Sequence, residues 1–384
     1  MKMEVFYHKS SRISLLLLLT VLISCSTVSM VKHGGYPEQS DYKKFPHREI
    51  ATSRANFNFC KSDDFNYLGQ KVGLNDKDLN STKVTLDEFV KLHNTISFLI
   101  IRNDSILYEY YDPKYKDTTL VSSFSLIKPM ITSLIGIALK EGDIKSIEDN
   151  MTDYLPEYKG KIGFEKIKIK HLLHHTSGIK FSDSKYNPFS DNADYYWGNS
   201  LRKKLLEITI SEPPELHFRY SSINTMLLGR IIETATNKTI SKYLEEKIWK
   251  PMHMEGPGYW SLDRADDQGI EKVFCCFQAR VKDFARLGRL HLHYGNWFGQ
   301  QLVPEEWLKY SLTPDPSGNN KLFFNNNWGI GPLKYGSFYA VGLYGQLLYI
   351  YPEKNIIILR FGDKDLNYHP NYWTNSMLQI VDQI

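Results

Sequence analysis

The sequence predicts an α+β fold: an antiparallel sheet flanked by helices, built from both ends of the chain around a mainly helical insertion. Three observations lead there. Ile96 to Arg102 and Ser105 to Tyr111 are apolar, β-branched runs on either side of Asn103-Asp104, the pattern of two strands joined by a turn. From about residue 145 to 265 the apolar residues recur at helical spacing, interrupted by Pro213-Pro214. Beyond that the period falls to two, with strands expected at Trp328 to Leu333, Ser337 to Val341, Gln346 to Tyr351 and Ile356 to Phe361. The early hairpin and the late strands must therefore meet in space.

Taken in order, Lys2, Lys9 and Arg12 precede an almost unbroken apolar run from Ile13 to Ile23, an export signal too short for a stable membrane span. Leu22-Ile23-Ser24-Cys25 resembles a bacterial lipobox, in which Cys25 becomes the lipidated N-terminus; an uncleaved anchor is the alternative. Residues 1–25 are thus expected to act as a lipoprotein-type signal. They place the body in the bacterial cell envelope, held to the membrane by a lipid anchor. Residues 26–95 are expected to be a tether and N-terminal extension, beginning as a polar tether and becoming more structured near Val84 to His93. Residues 96–384 form the main domain, with its helical subdomain at about 145–265. Helices are expected at Ile147 to Tyr154, Ile167 to His174, Leu201 to Ile208, Asn224 to Ala235, Ile240 to Ile248, Phe277 to Tyr294 and Tyr372 to Val381, and an aromatic loop at Asp191 to Trp197.

Ser125 and Lys128 stand three positions apart at the head of the run Leu126, Ile127, Met130, Ile131, Leu134, Ile135, Ala138, Leu139. The same serine-to-lysine spacing occurs at Ser29/Lys32, Ser40/Lys43, Ser177/Lys180, Ser182/Lys185 and Ser200/Lys203, but none of these opens such a run. Residues i and i+3 share a helix face, so the hydroxyl and the amine fall within reach of each other. Pro129 lacks an N–H and is tolerated only in the first turn, which sets the helix start near Ser125. A helix N-terminus stabilises a developing anion, and burial favours an uncharged, basic amine. An N-cap serine beside a snorkelling lysine is the alternative reading. Gly142 closes the helix.

The net charge of +4 and the dispersed Lys and Arg residues argue against a nucleic-acid partner. Aromatic residues make up 14% of the chain, and Tyr195, Tyr196, Trp197, Trp328 and Tyr344 are candidates for an aromatic cleft as well as for ordinary packing. The histidines His171, His174 and His175 lack acidic or thiol ligands at metal-binding spacing, so they are read as structural and no metal or other cofactor is expected. Adjacent cysteines rarely bridge, so Cys275 and Cys276 are not expected to form an essential disulfide, and a link from Cys60 to either is left open.

Three further segments complete a constellation with Ser125-x-x-Lys128: His174-His175-Thr176-Ser177-Gly178, Phe218-Arg219-Tyr220-Ser221-Ser222-Ile223-Asn224, and Ala340-Val341-Gly342-Leu343-Tyr344-Gly345-Gln346. In this order they resemble the β-lactamase-related serine hydrolases, a family of class C β-lactamases, D-Ala-D-Ala carboxypeptidases and esterases with a β-lactamase/transpeptidase-like fold. The pattern is most similar to the 6-aminohexanoate-oligomer hydrolase branch. The resemblance spans about Ile96 to Gly362. It implies that Ser125 is the acylated nucleophile, Lys128 its proton acceptor and Tyr220 the proton shuttle to the leaving group. It also implies an oxyanion hole formed by the backbone N–H groups of Ser125 and Leu343. A serine hydroxyl needs an aligned base, and a phenol acts as a base only beside positive charge. Ser222, Asn224, Trp328, Gly342 and Tyr344 are the candidate substrate-binding residues.

The departures from the pattern bear on substrate. The family's Tyr-x-Asn reads Tyr220-Ser221-Ser222, with Asn224 the nearest asparagine, and its Lys-Thr-Gly or His-x-Gly reads Ala340-Val341-Gly342. Two polar handles for an anionic substrate are thus replaced, and an unpaired carboxylate buried there costs several kcal/mol. The sequence therefore points to a serine hydrolase acting on a small ester, linear amide or peptide through an acyl-enzyme on Ser125. The alternatives are a β-lactamase or D-Ala-D-Ala peptidase working on cell-wall material, and a non-catalytic binding module on the same fold.

Overall fold

The computed structural model describes Met30 and residues 35–54, 57–76, 82–184, 187–314, 323–364 and 370–384. Strands β1 (Thr95–Arg102) and β2 (Ser105–Tyr111) form the expected hairpin, with Asn103 and Asp104 both at positive φ in the turn, a conformation that short polar side chains tolerate. Helices α1 (Lys128–Glu141), α2 (Ser222–Thr236) and α3 (Val281–Leu292) precede the late strands β3 (Phe338–Gly342), β4 (Gln346–Tyr351) and β5 (Ile356–Gly362). Strand β5 returns to pair antiparallel with β1, placing Ile358 opposite Ile100. The eight-stranded sheet runs Phe324–Asn325, Trp328–Ile330, β3, β4, β5, β1, β2, Cys60–Lys61. The two ends of the chain thus close one sheet, as the periodicities require.

Because successive strand residues face opposite sides, β1 supplies Leu99 and Ile101 to one core and Phe98 and Ile100 to the other. The first core holds α1, α2 and α3. The second is covered by Leu86–Leu92 and the closing helix Pro370–Val381. Helix α1 is buried from Lys128 to Ala138 and ends at Gly142 with φ 82°. Its partner α3 is pinned by His291, whose ring meets Ser133 Oγ at 2.8 Å and Leu287 O at 2.8 Å. Gly288 lets α3 lie on the sheet, since a Cβ there would sit 2.9 Å from both Leu348 and Ile357.

Several expectations are corrected. The segment from residue 35 to 95 is no tether: His47–Ile50 pairs with Gly258–Ser261, Gly73–Asp76 pairs with Thr82–Thr85, and Ile50, Val72 and Leu74 are buried. Apolar residues spaced singly among polar ones hid these short strands. Phe277 to Tyr294 divides into a strand, Phe277–Arg280, and α3. Arg280 takes an extended conformation before the helix, and Gln278 pairs across to Ser122. Asp191–Trp197 is a helix, capped by Ser190 accepting from the Ala193 N–H at 3.2 Å, and the helix expected at Ile147 to Tyr154 is only Met151–Tyr154. Cys275 and Cys276 do bridge, while Cys60 is free and exposed. The signal and lipobox at residues 1–25 lie outside the described residues. Among the described residues no helix is long and apolar enough to cross a membrane.

The close seating of α3 makes a prediction. Gly288→Val must push Leu348 and Ile357 aside, and overpacking of this kind typically costs about 1–3 kcal/mol. Urea denaturation should show a lowered midpoint with an unchanged slope; an unaltered midpoint would show that α3 does not bear on the sheet through Gly288.

Candidate active site

The turn that carries Ser125 is a 3-10 segment, Phe124–Ile127, leading directly into α1, with Pro129 in the first helical turn. Lys128, 1% exposed, turns back over this segment. Its Nζ lies 3.3 Å from Ser125 Oγ and 3.1 Å from Ser222 Oγ, and it also hydrogen-bonds Tyr220 Oη. Among the described residues no carboxylate forms an ion pair with this amine. Three hydroxyls from two elements therefore converge on one buried nitrogen.

Tyr220 is held from behind. Its ring stacks on His175 at 4.8 Å and meets the edge of Phe324 at 6.0 Å, while Lys128 Nζ stands 4.1 Å from its centroid. His175 Nδ1 accepts from the Ser221 N–H at 3.0 Å and Asn224 Nδ2 at 3.2 Å, so Nε2 carries the hydrogen and donates to Asn327 Oδ1 at 2.9 Å. Asn327 in turn donates to Thr132 Oγ1 on α1 at 3.1 Å. Burial pushes His175 down to about 3, so it stays neutral and serves as a spacer between Tyr220 and α1.

Facing Ser125 is the turn between β3 and β4. Gly342 passes so close to the serine turn that a Cβ would fall 2.4 Å from Ser123 O and 3.2 Å from the Leu126 N. Phe124 and Tyr344, the neighbours of Ser125 and Leu343, both hold positive φ, at 45° and 67°, and their rings meet edge to face at 5.4 Å. Two strained non-glycine residues thus flank this junction, where strain of about 1–3 kcal/mol each must be held by surrounding contacts. Those contacts are visible. Arg360 donates to Tyr344 O and Gly345 O, both at 2.8 Å, and Gln346 exchanges two hydrogen bonds with Gly362.

The N-terminal segment clasps the same place. Gln39 Oε1 accepts from the Ser122 N–H at 2.7 Å, and its Nε2 donates to Gly362 O at 3.0 Å. Tyr344 Oη donates to Pro37 O, and Tyr196 Oη donates to Asp41 Oδ2 at 2.8 Å. Gln39, Arg360, Asp183 and Asn327 carried no sequence signal. They are single polar residues whose partners are distant in the chain.

These elements enclose a cavity of about 620 Å³ lined by Ser125, Tyr220, Ser222, Gly342, Leu343 and Tyr344 and walled by Phe124, Tyr196, Trp197, Phe274 and Cys275. Among its described lining residues Asp183 is the sole carboxylate, accepting from the Ser222 N–H at 2.7 Å, and none is Lys or Arg. Two candidate substrate contacts are displaced. Asn224 does not line the cavity: two positions beyond Ser222 it projects from another face of α2, bonding His175 and, at 2.6 Å, Ser177. Trp328 is 1% exposed and packs against His291 and Phe338 in the core. Tyr195 is likewise absent from the lining, and Ala340 is buried while Val341 faces the cavity.

The model of the beta-lactamase family matches residues 86–367. A 6-aminohexanoate-dimer hydrolase of Paenarthrobacter ureafaciens is 21% identical over 286 residues, covering 69% of this chain and 72% of that protein. A Bacillus anthracis protein provisionally named a 6-aminohexanoate-dimer hydrolase superimposes with a TM-score of 0.78 at 22% identity, over 89% of this chain and 92% of that one. EstCE1, a hydrolase with promiscuous acyltransferase activity, superimposes with a TM-score of 0.59 at 16% identity, over 77% and 95% of the two chains. The fold is of the β-lactamase/transpeptidase-like, α+β kind.

The buried histidines set a pH dependence. Burial pushes His291 down to about 4 and His175 to about 3, against about 6.5 in an unfolded chain. Below pH 6.5 the unfolded chain takes up protons that the native state refuses, so stability falls as pH drops from about 6.5 towards 4 and then 3. The slope reaches at most about 1.4 kcal/mol per pH unit for each histidine. Urea titrations of wild type and His291→Gln at pH 7, 5.5 and 4.5 should show the variant losing less over this interval. Parallel losses would contradict the assignment.

Proposed function

The chain belongs to the beta-lactamase family, and on that premise we propose that it is a serine hydrolase cleaving an ester or a linear amide through an acyl-enzyme on Ser125. The observation that carries this reading is the buried amine of Lys128, placed between Ser125 Oγ and Tyr220 Oη, two residues that line an apolar cavity. Ser125 Oγ attacks the carbonyl carbon as its proton passes to Lys128. The carbonyl oxygen becomes an anion held by the backbone N–H groups of Ser125 and Leu343. Tyr220, bonded to the same amine, delivers the proton to the leaving alcohol or amine as the acyl bond breaks. Water then enters, gives its proton back along the route and releases the acid. Ser222 holds the lysine from its far side, and Gly342 keeps the second turn close enough to serve.

The substrate class follows from the lining. Among the described lining residues Asp183 is the one carboxylate and none is Lys or Arg, so an anionic substrate group meets no opposite charge from them, and desolvating it would cost several kcal/mol. Neutral esters and amides fit it better than β-lactams or peptides ending in a carboxylate. The Paenarthrobacter relative is named a 6-aminohexanoate-dimer hydrolase, and the bond joining two such units is an amide, which bears on the bond cleaved and not on the charge of the substrate. We also propose that the chain is exported and held at the cell envelope through Cys25.

Two variants test the reading. Ser125→Ala should abolish labelling by a fluorophosphonate and lower p-nitrophenyl ester turnover by at least 10³-fold, and equal labelling of both proteins would overturn the proposal. Tyr220→Phe should retain labelling while slowing turnover about 10²–10⁴-fold, the usual share of a general acid–base group. Nitrocefin turnover faster than ester turnover would replace this substrate class with β-lactams.

A further inference from the structure

The cavity wall begins at the start of the described chain. Met30 lines it, together with Gly35, Tyr36 and Pro37. Five residues before Met30 stands Cys25, and the apolar run from Ile13 to Ile23 ends two residues earlier still. An extended chain covers at most about 3.6 Å per residue, so Cys25 lies within about 18 Å of the wall and Ile23 within about 25 Å. If the chain is held at a membrane as proposed above, through the apolar run or through acyl chains on Cys25, the cavity stands no farther than that from the bilayer surface.

The rim of the cavity is apolar on the outside too. Tyr36 and Phe323 line the cavity, yet they remain 57% and 61% exposed, and Phe189, next to the lining residue Pro188, is 82% exposed. Large aromatic side chains held out around one opening are out of place in water and suited to a membrane–water interface.

We propose that the mouth of the cavity docks on a lipid surface, with Tyr36, Phe189 and Phe323 inserted among the headgroups, and that the substrate is an amphiphilic ester or amide entering from the bilayer. This rests on the hydrolase reading. In the reaction water adds across the acyl–oxygen or acyl–nitrogen bond, releasing a carboxylic acid and an alcohol or amine. The apolar chain of the substrate stays against Phe124, Trp197 and Phe274 throughout.

The test uses the full chain with Cys60→Ser, which removes the one free thiol among the described residues and leaves Cys25 in parent and variants alike. A bimane fluorophore is attached at Phe323→Cys or, as a control, at Lys91→Cys. Lys91 is exposed on Leu86–Leu92, the helix covering the opposite face of the sheet. On phosphatidylcholine vesicles carrying spin-labelled acyl chains, the probe at 323 should be quenched at least twofold and the probe at 91 unaffected, the Cys60→Ser parent giving the background. No quenching at 323, or equal quenching at both positions, overturns the docking. Turnover of p-nitrophenyl butyrate in the same preparations judges the hydrolase reading separately: its absence in wild type would sink that reading whatever the quenching shows.

Discussion

The site depends on one interaction, the burial of the Lys128 amine among three hydroxyls. A nitrogen taken out of water must find partners, and here they come from Ser125 on its own turn and from Tyr220 and Ser222 at the head of α2. Satisfying that nitrogen fixes the approach of α2 to α1. It also brings the hydroxyls of Ser125 and Tyr220 to the same atom. Structure and chemistry make the same demand at this point, which is why Ser222 fits where an asparagine would otherwise be expected. A hydroxyl is enough to complete the shell of the amine, and it leaves the cavity without a strong polar handle.

Around this centre two turns at positive φ, at Phe124 and Tyr344, are pressed together, and the rest of the fold restrains them. Arg360 and Gln346 hold the second turn from within the sheet, and Gln39 ties the strand before the first turn to the end of β5. The contribution of Gln39 lies outside the residues matched by the family model. A segment that reads as polar linker therefore belongs to the scaffold of the site.

Long, strongly periodic features were legible in the sequence. The hairpin, β4, β5, α1 and the grouping of Ser125, Lys128, Tyr220, Gly342 and Leu343 stand where hydrophobic period and motif order put them, because each depends on local repetition or on a family pattern. The features that escaped depend on partners far away. His47–Ile50 is a strand only because Gly258–Ser261 lies beside it, and Phe277–Arg280 extends because Leu120–Ser122 does. Asn224 and Trp328 suit a binding site by chemical type alone. A helix turns by about 100° per residue, which put Asn224 on another face, and Trp328 was more stable against His291 and Phe338 than at a cavity wall. The bridge between Cys275 and Cys276 could not be anticipated from general geometry.

The hydrogen bonds of Gln39 join residues 323 positions apart, from Gln39 to Gly362. A chain synthesised from its N-terminus carries Gln39 and Ser125 long before Gly342, Arg360 or Gly362 exists. Until the last strands arrive, the ring of Phe124 lacks its edge-to-face partner Tyr344, and the opposing turn is absent. The opening beside Ser125 is therefore complete only when nearly the whole chain has been made, because the last residues to be added supply one of its two turns.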